Sequence, residues 1–108
     1  MNKIQNRNLY EFFIPIEVSI EEVDNIIVGA LEGGINYWLD HYEYKPLAEN
    51  GYLHIKSVDH NLKMLTTSEL VIGLDLYFAN NGKLVEDMDA GDYDTIIQYS
   101  YFGKVVYG

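Results

Sequence analysis

Three histidines, His41, His54 and His60, are the side chains of this sequence best suited to hold a transition metal or to move a proton near neutral pH. His54 and His60 flank Asp59, so two imidazoles and a carboxylate lie close in sequence. The spacing matches no standard ligand pattern, and the chain has no cysteine to complete a structural zinc set. No metal or other cofactor is expected. The densest run of acids is Glu86-Asp87-Met88-Asp89-Ala90-Gly91-Asp92-Tyr93-Asp94. Read as a calcium loop from Asp87, it fails where Gly91 replaces a ligand and where Asp92 stands in place of the turn glycine. Two readings remain for it: a helix start carrying carboxylates, or a negative patch that docks on a basic partner.

Other catalytic arrangements are missing. Ser19, Ser57, Ser68 and Ser100 lie in no nucleophile-elbow context. Gly29, Gly33 and Gly34 do not form a strand-glycine-helix phosphate loop. A carboxylate pair doing acid-base work needs a sizeable cleft, which so short a chain rarely forms. The sequence therefore reads as a binding protein and not an enzyme.

Tyrosine is the unusual component, with ten residues in 108. Tyr37, Trp38, Tyr42 and Tyr44 are interleaved with Asp40, His41 and Glu43. Aromatic side chains bring large rigid area and a polar tip to interfaces, and they pack cores equally well. The candidate binding surface combines Tyr37, Trp38, His41, Tyr42 and Tyr44 with Asp87, Asp89, Asp92 and Asp94.

Seventeen acids against seven bases give a formal charge of −10, and Arg7 is the lone arginine. The lysines are scattered at 3, 45, 56, 63, 83 and 104, so direct nucleic-acid binding is not expected. The expected partner is a protein with a basic surface, and a homo-oligomer is a further option. No apolar run is long enough to span a bilayer, and residues 1–8 lack the apolar stretch of a signal peptide. No membrane association and a cytoplasmic location are expected.

The elements that must position these residues can be read from periodicity and capping. Residues 9–18 alternate, with Tyr10, Phe12, Ile14, Ile16 and Val18 on one face, which predicts a strand that Pro15 confines to an edge. Ser19 and Glu22 form a capping box ahead of a helix buried through Val23, Ile26, Ile27, Ala30 and Leu31, and Gly33-Gly34 ends it. A strand follows over 35–44. It has Asn36, Trp38, Asp40, Tyr42 and Tyr44 on one face and Ile35, Tyr37, Leu39, His41 and Glu43 on the other. Residues 52–58 and 61–65 make a hairpin about Asp59-His60. Thr66 to Glu69 start a second helix, which ends at Asn80-Asn81-Gly82. Lys83 to Met88 connect to a third helix capped by Asp89 and Asp92 and stopped by Gly103. Val105-Val106-Tyr107 reads as a closing strand. The result is one α+β domain over 1–108, with residues 1–8 as a flexible lead-in. Its order is roughly β-α-β-β-β-α-α-β, with about three helices on a small antiparallel or mixed sheet.

Two segments carry a resemblance: Ala30-Leu31-Glu32-Gly33-Gly34-Ile35-Asn36-Tyr37-Trp38 and the closing run from Asp94 through Ile96-Ile97-Gln98-Tyr99 to Val106-Tyr107-Gly108. In these the chain resembles a group of small acidic proteins of phages, prophages and mobile elements of gut and Gram-positive bacteria, from about Ser19 onward. The resemblance implies a context and no catalytic residue. Proteins of that context often inhibit host machinery, defence nucleases included, by mimicking nucleic-acid charge or by sequestering nucleotide signals. The expected function is thus a non-enzymatic accessory protein that binds a host macromolecule, possible targets including a defence system. The alternatives are a nucleotide-like ligand held by Tyr37, Trp38 and His41, and a self-associating assembly protein.

Overall fold

The computed structural model describes residues 9–10, 18–81 and 85–108. The expected flexible segment 1–8 lies outside them. Leu9–Tyr10 (β1) pairs antiparallel with Val18–Ser19 (β2). The expected single strand over 9–18 is therefore corrected, because its two ends face each other. Residues 11–17, including Pro15, lie outside the described residues.

Three helices follow, each started by a local device. Helix α1, Ile20–Gly29, begins at Ser19, whose hydroxyl accepts from the Glu22 N–H while the Glu22 carboxylate accepts from the Ser19 N–H. Helix α2, Thr67–Asn81, has the same reciprocal pair between Thr66 and Glu69, and α3, Ala90–Phe102, has it between Asp89 and Asp92. Each box satisfies two main-chain donors that a helix start would otherwise leave unpaired. Lys63 sits 2.7 Å from Glu69 and, together with the cap, holds that carboxyl below its ordinary range. Gly103, at φ 78°, closes α3 in the left-handed conformation that glycine adopts without a steric cost.

Beyond Gly29 the chain stays helical but widens to a π-type turn over Ala30–Gly34, so Gly33-Gly34 does end the helical segment. Strand formation begins later than expected. Residues 35–38 make a turn, in which the Trp38 and Leu39 N–H groups both donate to the Ile35 carbonyl. The strands are β3 (Leu39–Lys45), β4 (Tyr52–Ser57) and β5 (Lys63–Leu65), in an antiparallel meander of that order. A bulge between Leu39 and His41 leaves Asp40 out of register. That extra residue puts Leu39 on the same side as Tyr42 and Tyr44, opposite Ser57, Ile55 and Leu53, and so corrects the expected alternation across 35–44.

The fold is α+β, with helices against one side of the three-stranded sheet. Leu53, Ile55 and Leu65 point inward, to meet Ile26 and Ile27 of α1, Leu70 and Leu74 of α2 and Ile96 and Ile97 of α3 in one core. Each such aliphatic side chain, fully buried, contributes about 1.5–3 kcal/mol. Helices α2 and α3 approach closely at Gly73, where a Cβ would meet the Ser100 side chain and lie 2.9 Å from the Ile96 carbonyl. Ahead of α3, Val85–Asp87 form a 3-10 turn.

The expected closing strand is also corrected. Among the described residues no strand pairs with 105–108. Their main chain is held by one side chain: the Gln98 carbonyl oxygen accepts from the Val106 and Tyr107 N–H groups at 2.7 and 2.8 Å, and its amide donates to the Tyr107 carbonyl at 3.0 Å. A glutamine thus supplies the donor and acceptor that a neighbouring strand would supply.

Candidate functional site

The two halves of the candidate surface, residues 37–44 and 87–94, meet at one point. Asp94, in the second turn of α3, receives the Tyr37 hydroxyl on Oδ2 at 2.6 Å and the Trp38 indole N–H on Oδ1 at 2.8 Å. Gln98, one turn further along α3, donates to the same Oδ1 at 2.8 Å. The π-type turn makes this junction possible, because it brings Gly34 so close to the first turn of α3 that a Cβ there would lie 2.6 Å from the Ala90 carbonyl. Trp38 then descends into the core, fully buried, stacked on Tyr107 (5.4 Å between ring centroids, 10° between planes) and tilted against Tyr101 and Phe102. Tyr37 stays outside, 57% exposed. Trp38 therefore belongs to the core and not to the surface expected for it, since its ring face and its N–H are both occupied.

The remaining aromatic candidates separate. Tyr44 is half-buried and donates to Asp24 Oδ1 at 2.6 Å. Asp24 also accepts from the Leu47 and Ala48 N–H groups, and so anchors the turn after β3 onto α1. Tyr42 is exposed at the sheet edge, while His41 is exposed on the outer side of the sheet, 3.8 Å from Glu43. His54 lies opposite Glu43 on that outer side, whereas the His60 ring bonds Ser57 Oγ at 2.8 Å and packs on Phe102. The three histidines do not converge. Among the described residues no group of His, Asp and Glu is placed to hold a metal ion.

In the acidic run, Asp89 and Asp92 cap α3, and Asp92 also receives the Tyr77 hydroxyl at 2.7 Å. Asp94 is committed to Tyr37, Trp38 and Gln98. Glu86 and Asp87 are exposed in the 3-10 turn, and the ion pairs among the described residues include neither. The run is thus a helix start whose later acids work internally and whose first two face outward.

Tyrosine and aspartate account for each other in this structure. Tyr37, Tyr44, Tyr77 and Tyr107 donate to Asp94, Asp24, Asp92 and Asp59. Desolvation, followed by the bond to Asp94, pushes the Tyr37 hydroxyl up to about 12. Desolvation and the bonded aspartates raise Tyr44 and Tyr77 as well. None of these three is a base at neutral pH; each is a fixed donor. A consequence is expected at high pH. The folded form of each group holds its proton above the ordinary tyrosine value of about 10. Its stabilising contribution is complete below that value and is lost as the pH rises toward the folded one. Spectrophotometric titration at 295 nm should show Tyr37, Tyr44 and Tyr77 still protonated at a pH of about 10, with loss of the far-UV circular dichroism signal as they ionise. Ionisation of all ten near pH 10 with the fold intact would contradict the pairing.

Asp24, Tyr77, Gln98 and Tyr107 are network residues that sequence reasoning did not select. Asp24 reads as one more acid near a helix start, and Gln98 as a polar residue in a helix. Gln98 and Tyr107 lie near the end of the chain and Tyr37 and Trp38 in the turn after the π-type segment, and the Asp94 junction joins the two. No family model matches the chain, and neither a curated protein nor a solved structure matches it.

Proposed function

We propose that this protein is a non-enzymatic, phage-type accessory protein of the cytoplasm, which binds a basic surface of a host macromolecule through the carboxylates at the start of α3. The observation that carries the reading is the division of labour in the acidic run. Asp89, Asp92 and Asp94 fix the helix and the Tyr37–Trp38 turn, and Glu86 and Asp87 are exposed in the 3-10 turn beside them. Exposed carboxylates close together attract a basic partner. Exposed Tyr37, braced by Asp94, adds an aromatic contact at the same end of α3. The resemblance to phage and mobile-element proteins supports a host target, with a defence system as the candidate class. Among the described residues no helix is long and apolar enough to cross a membrane.

The nucleotide-sequestering alternative has less support, because the Trp38 ring is already stacked on Tyr107 and is not offered to a ligand. The test is capture from a bacterial lysate on immobilised protein at low and high ionic strength. A basic protein retained at about 50 mM salt and released at about 500 mM is expected, since screening shortens the reach of surface charges from roughly 14 Å to roughly 4 Å. Retention that salt does not affect would count against the electrostatic reading.

A further inference from the structure

The long outer strand β3 is the sheet edge, and no strand of the described residues pairs with its free side. In an antiparallel ladder, alternate residues of an edge strand direct N–H and C=O away from the sheet, ready to accept another strand. The sequence of this edge is self-complementary about Tyr42. Setting a second copy antiparallel to β3 with Tyr42 opposite Tyr42 places His41 opposite Glu43 of the second copy, and Glu43 opposite its His41. The same two side-chain types already approach within the chain, at 3.8 Å. Residues directly opposite share a face, so His41 and Glu43 fall on the outer side. Tyr42 meets Tyr42 on the helix side.

Tyr42 itself supports the pairing. It lies on the inward side of the sheet, opposite buried Ile55, yet is 45% exposed because the sheet ends at β3. A second copy would cover this large ring with its own equivalent. A ladder centred on Glu43 sets carboxylate on carboxylate; one centred on Tyr44 sets Glu43 opposite Lys45 but is cut short at Pro46, which has no N–H and lies beyond the end of β3. The bulge at Asp40 confines the regular part of the ladder to the residues around Tyr42, so the interface is small and the dimer weak.

We infer that β3 pairs with β3 of a second copy about Tyr42, joining two three-stranded sheets into one of six strands. Charge gives this contact a salt dependence opposite to that of the proposed partner binding. Each copy carries −10, so two copies repel and added salt favours the dimer. Sedimentation velocity of the full chain, from low concentration to the order of 100 μM at about 50 and 500 mM salt, is the measurement. A shift from monomer toward dimer, larger at high salt, is expected. Tyr42→Lys should weaken dimerisation about tenfold or more, because it places like charges opposite each other. His41→Glu should weaken it likewise, and the swapped pair His41→Glu with Glu43→His should restore it. Circular dichroism of each variant should match that of the parent. A monomer throughout, or a dimer that Tyr42→Lys and His41→Glu leave intact, overturns the inference. Either result leaves the partner-binding reading standing, since Glu86 and Asp87 take no part.

Discussion

Replacing Gly73 with alanine should destabilise the protein by about 3 kcal/mol, although alanine is the better helix former by about 1 kcal/mol. The residue lies mid-way along α2, where no positive φ calls for glycine. What it permits is contact between α2 and α3. An added Cβ would clash with the Ser100 side chain and would sit 2.8 Å from its main-chain N and 2.9 Å from the Ile96 carbonyl. Ser100 cannot simply swing aside, since its hydroxyl donates to the Ile96 carbonyl at 2.9 Å and the residue is buried. Relief therefore requires the helices to part, with loss of packing around Leu70, Leu74, Ile96 and Ile97. Gly33→Ala is the control, because a Cβ there meets nothing within 4 Å. It should be neutral or stabilising by up to about 1 kcal/mol. Urea denaturation of the two variants checks both. Equal effects would show that glycine acts through helix propensity alone.

Gln98→Ala is the second change with a large expected effect, a loss of about 2–4 kcal/mol. The side chain is 1% exposed and makes bonds to Val106, Tyr107 and Asp94. Truncation removes the partner of two main-chain N–H groups and of the Tyr107 carbonyl, and one of the two donors to Asp94 Oδ1. The cheapest response is release of residues 105–108, which uncovers the stacked face of Trp38. Trp38 is the only tryptophan, so its fluorescence reports this directly. Emission should move to longer wavelength in native buffer, before any unfolding. Gln98→Glu preserves the shape and the acceptors, but sets a second carboxylate beside Asp94. The crowded position favours the protonated acid, so the pKa of the new carboxyl in the folded state lies above its unfolded value. Its deficit is then greatest at neutral pH and shrinks as the pH falls through that raised value. An unshifted emission spectrum in Gln98→Ala, with full stability, would contradict the role assigned to Gln98.

These two residues mark the limit of what the sequence made legible. The helix starts were readable because each is closed by side chains three positions apart: Ser19 with Glu22, Thr66 with Glu69, and Asp89 with Asp92. The hairpin about Asp59-His60 was readable for the same reason of locality. The strand carrying the aromatic candidates was legible only in part. Alternation cannot reveal that Asp40 bulges, or that the turn at 35–38 delays the strand and turns Trp38 inward. The Trp38–Asp94 and Gln98–Tyr107 contacts depend on tertiary approach, which periodicity does not encode. Val105-Val106-Tyr107 has strand-forming residues, but a buried amide satisfies its main chain instead of a neighbouring strand. Within the candidate surface, the contact of Tyr37 and Trp38 with Asp94, and the use of most of the acidic run as internal acceptors, are likewise tertiary and not encoded in residue spacing.

We propose that partner binding is carried by the exposed carboxylates just ahead of α3, while the Trp38 junction with Asp94 serves the fold. Glu86→Lys with Asp87→Lys tests it most directly, because both residues are exposed and neither bonds α3 internally. Binding of the captured partner should be titrated against ionic strength for the parent and the double variant, alongside thermal melting. The account predicts an unchanged melting temperature, an affinity reduced by about tenfold to a hundredfold at low salt, and a flatter salt dependence in the variant. A variant that binds as tightly as the parent, with the same salt dependence, would contradict it.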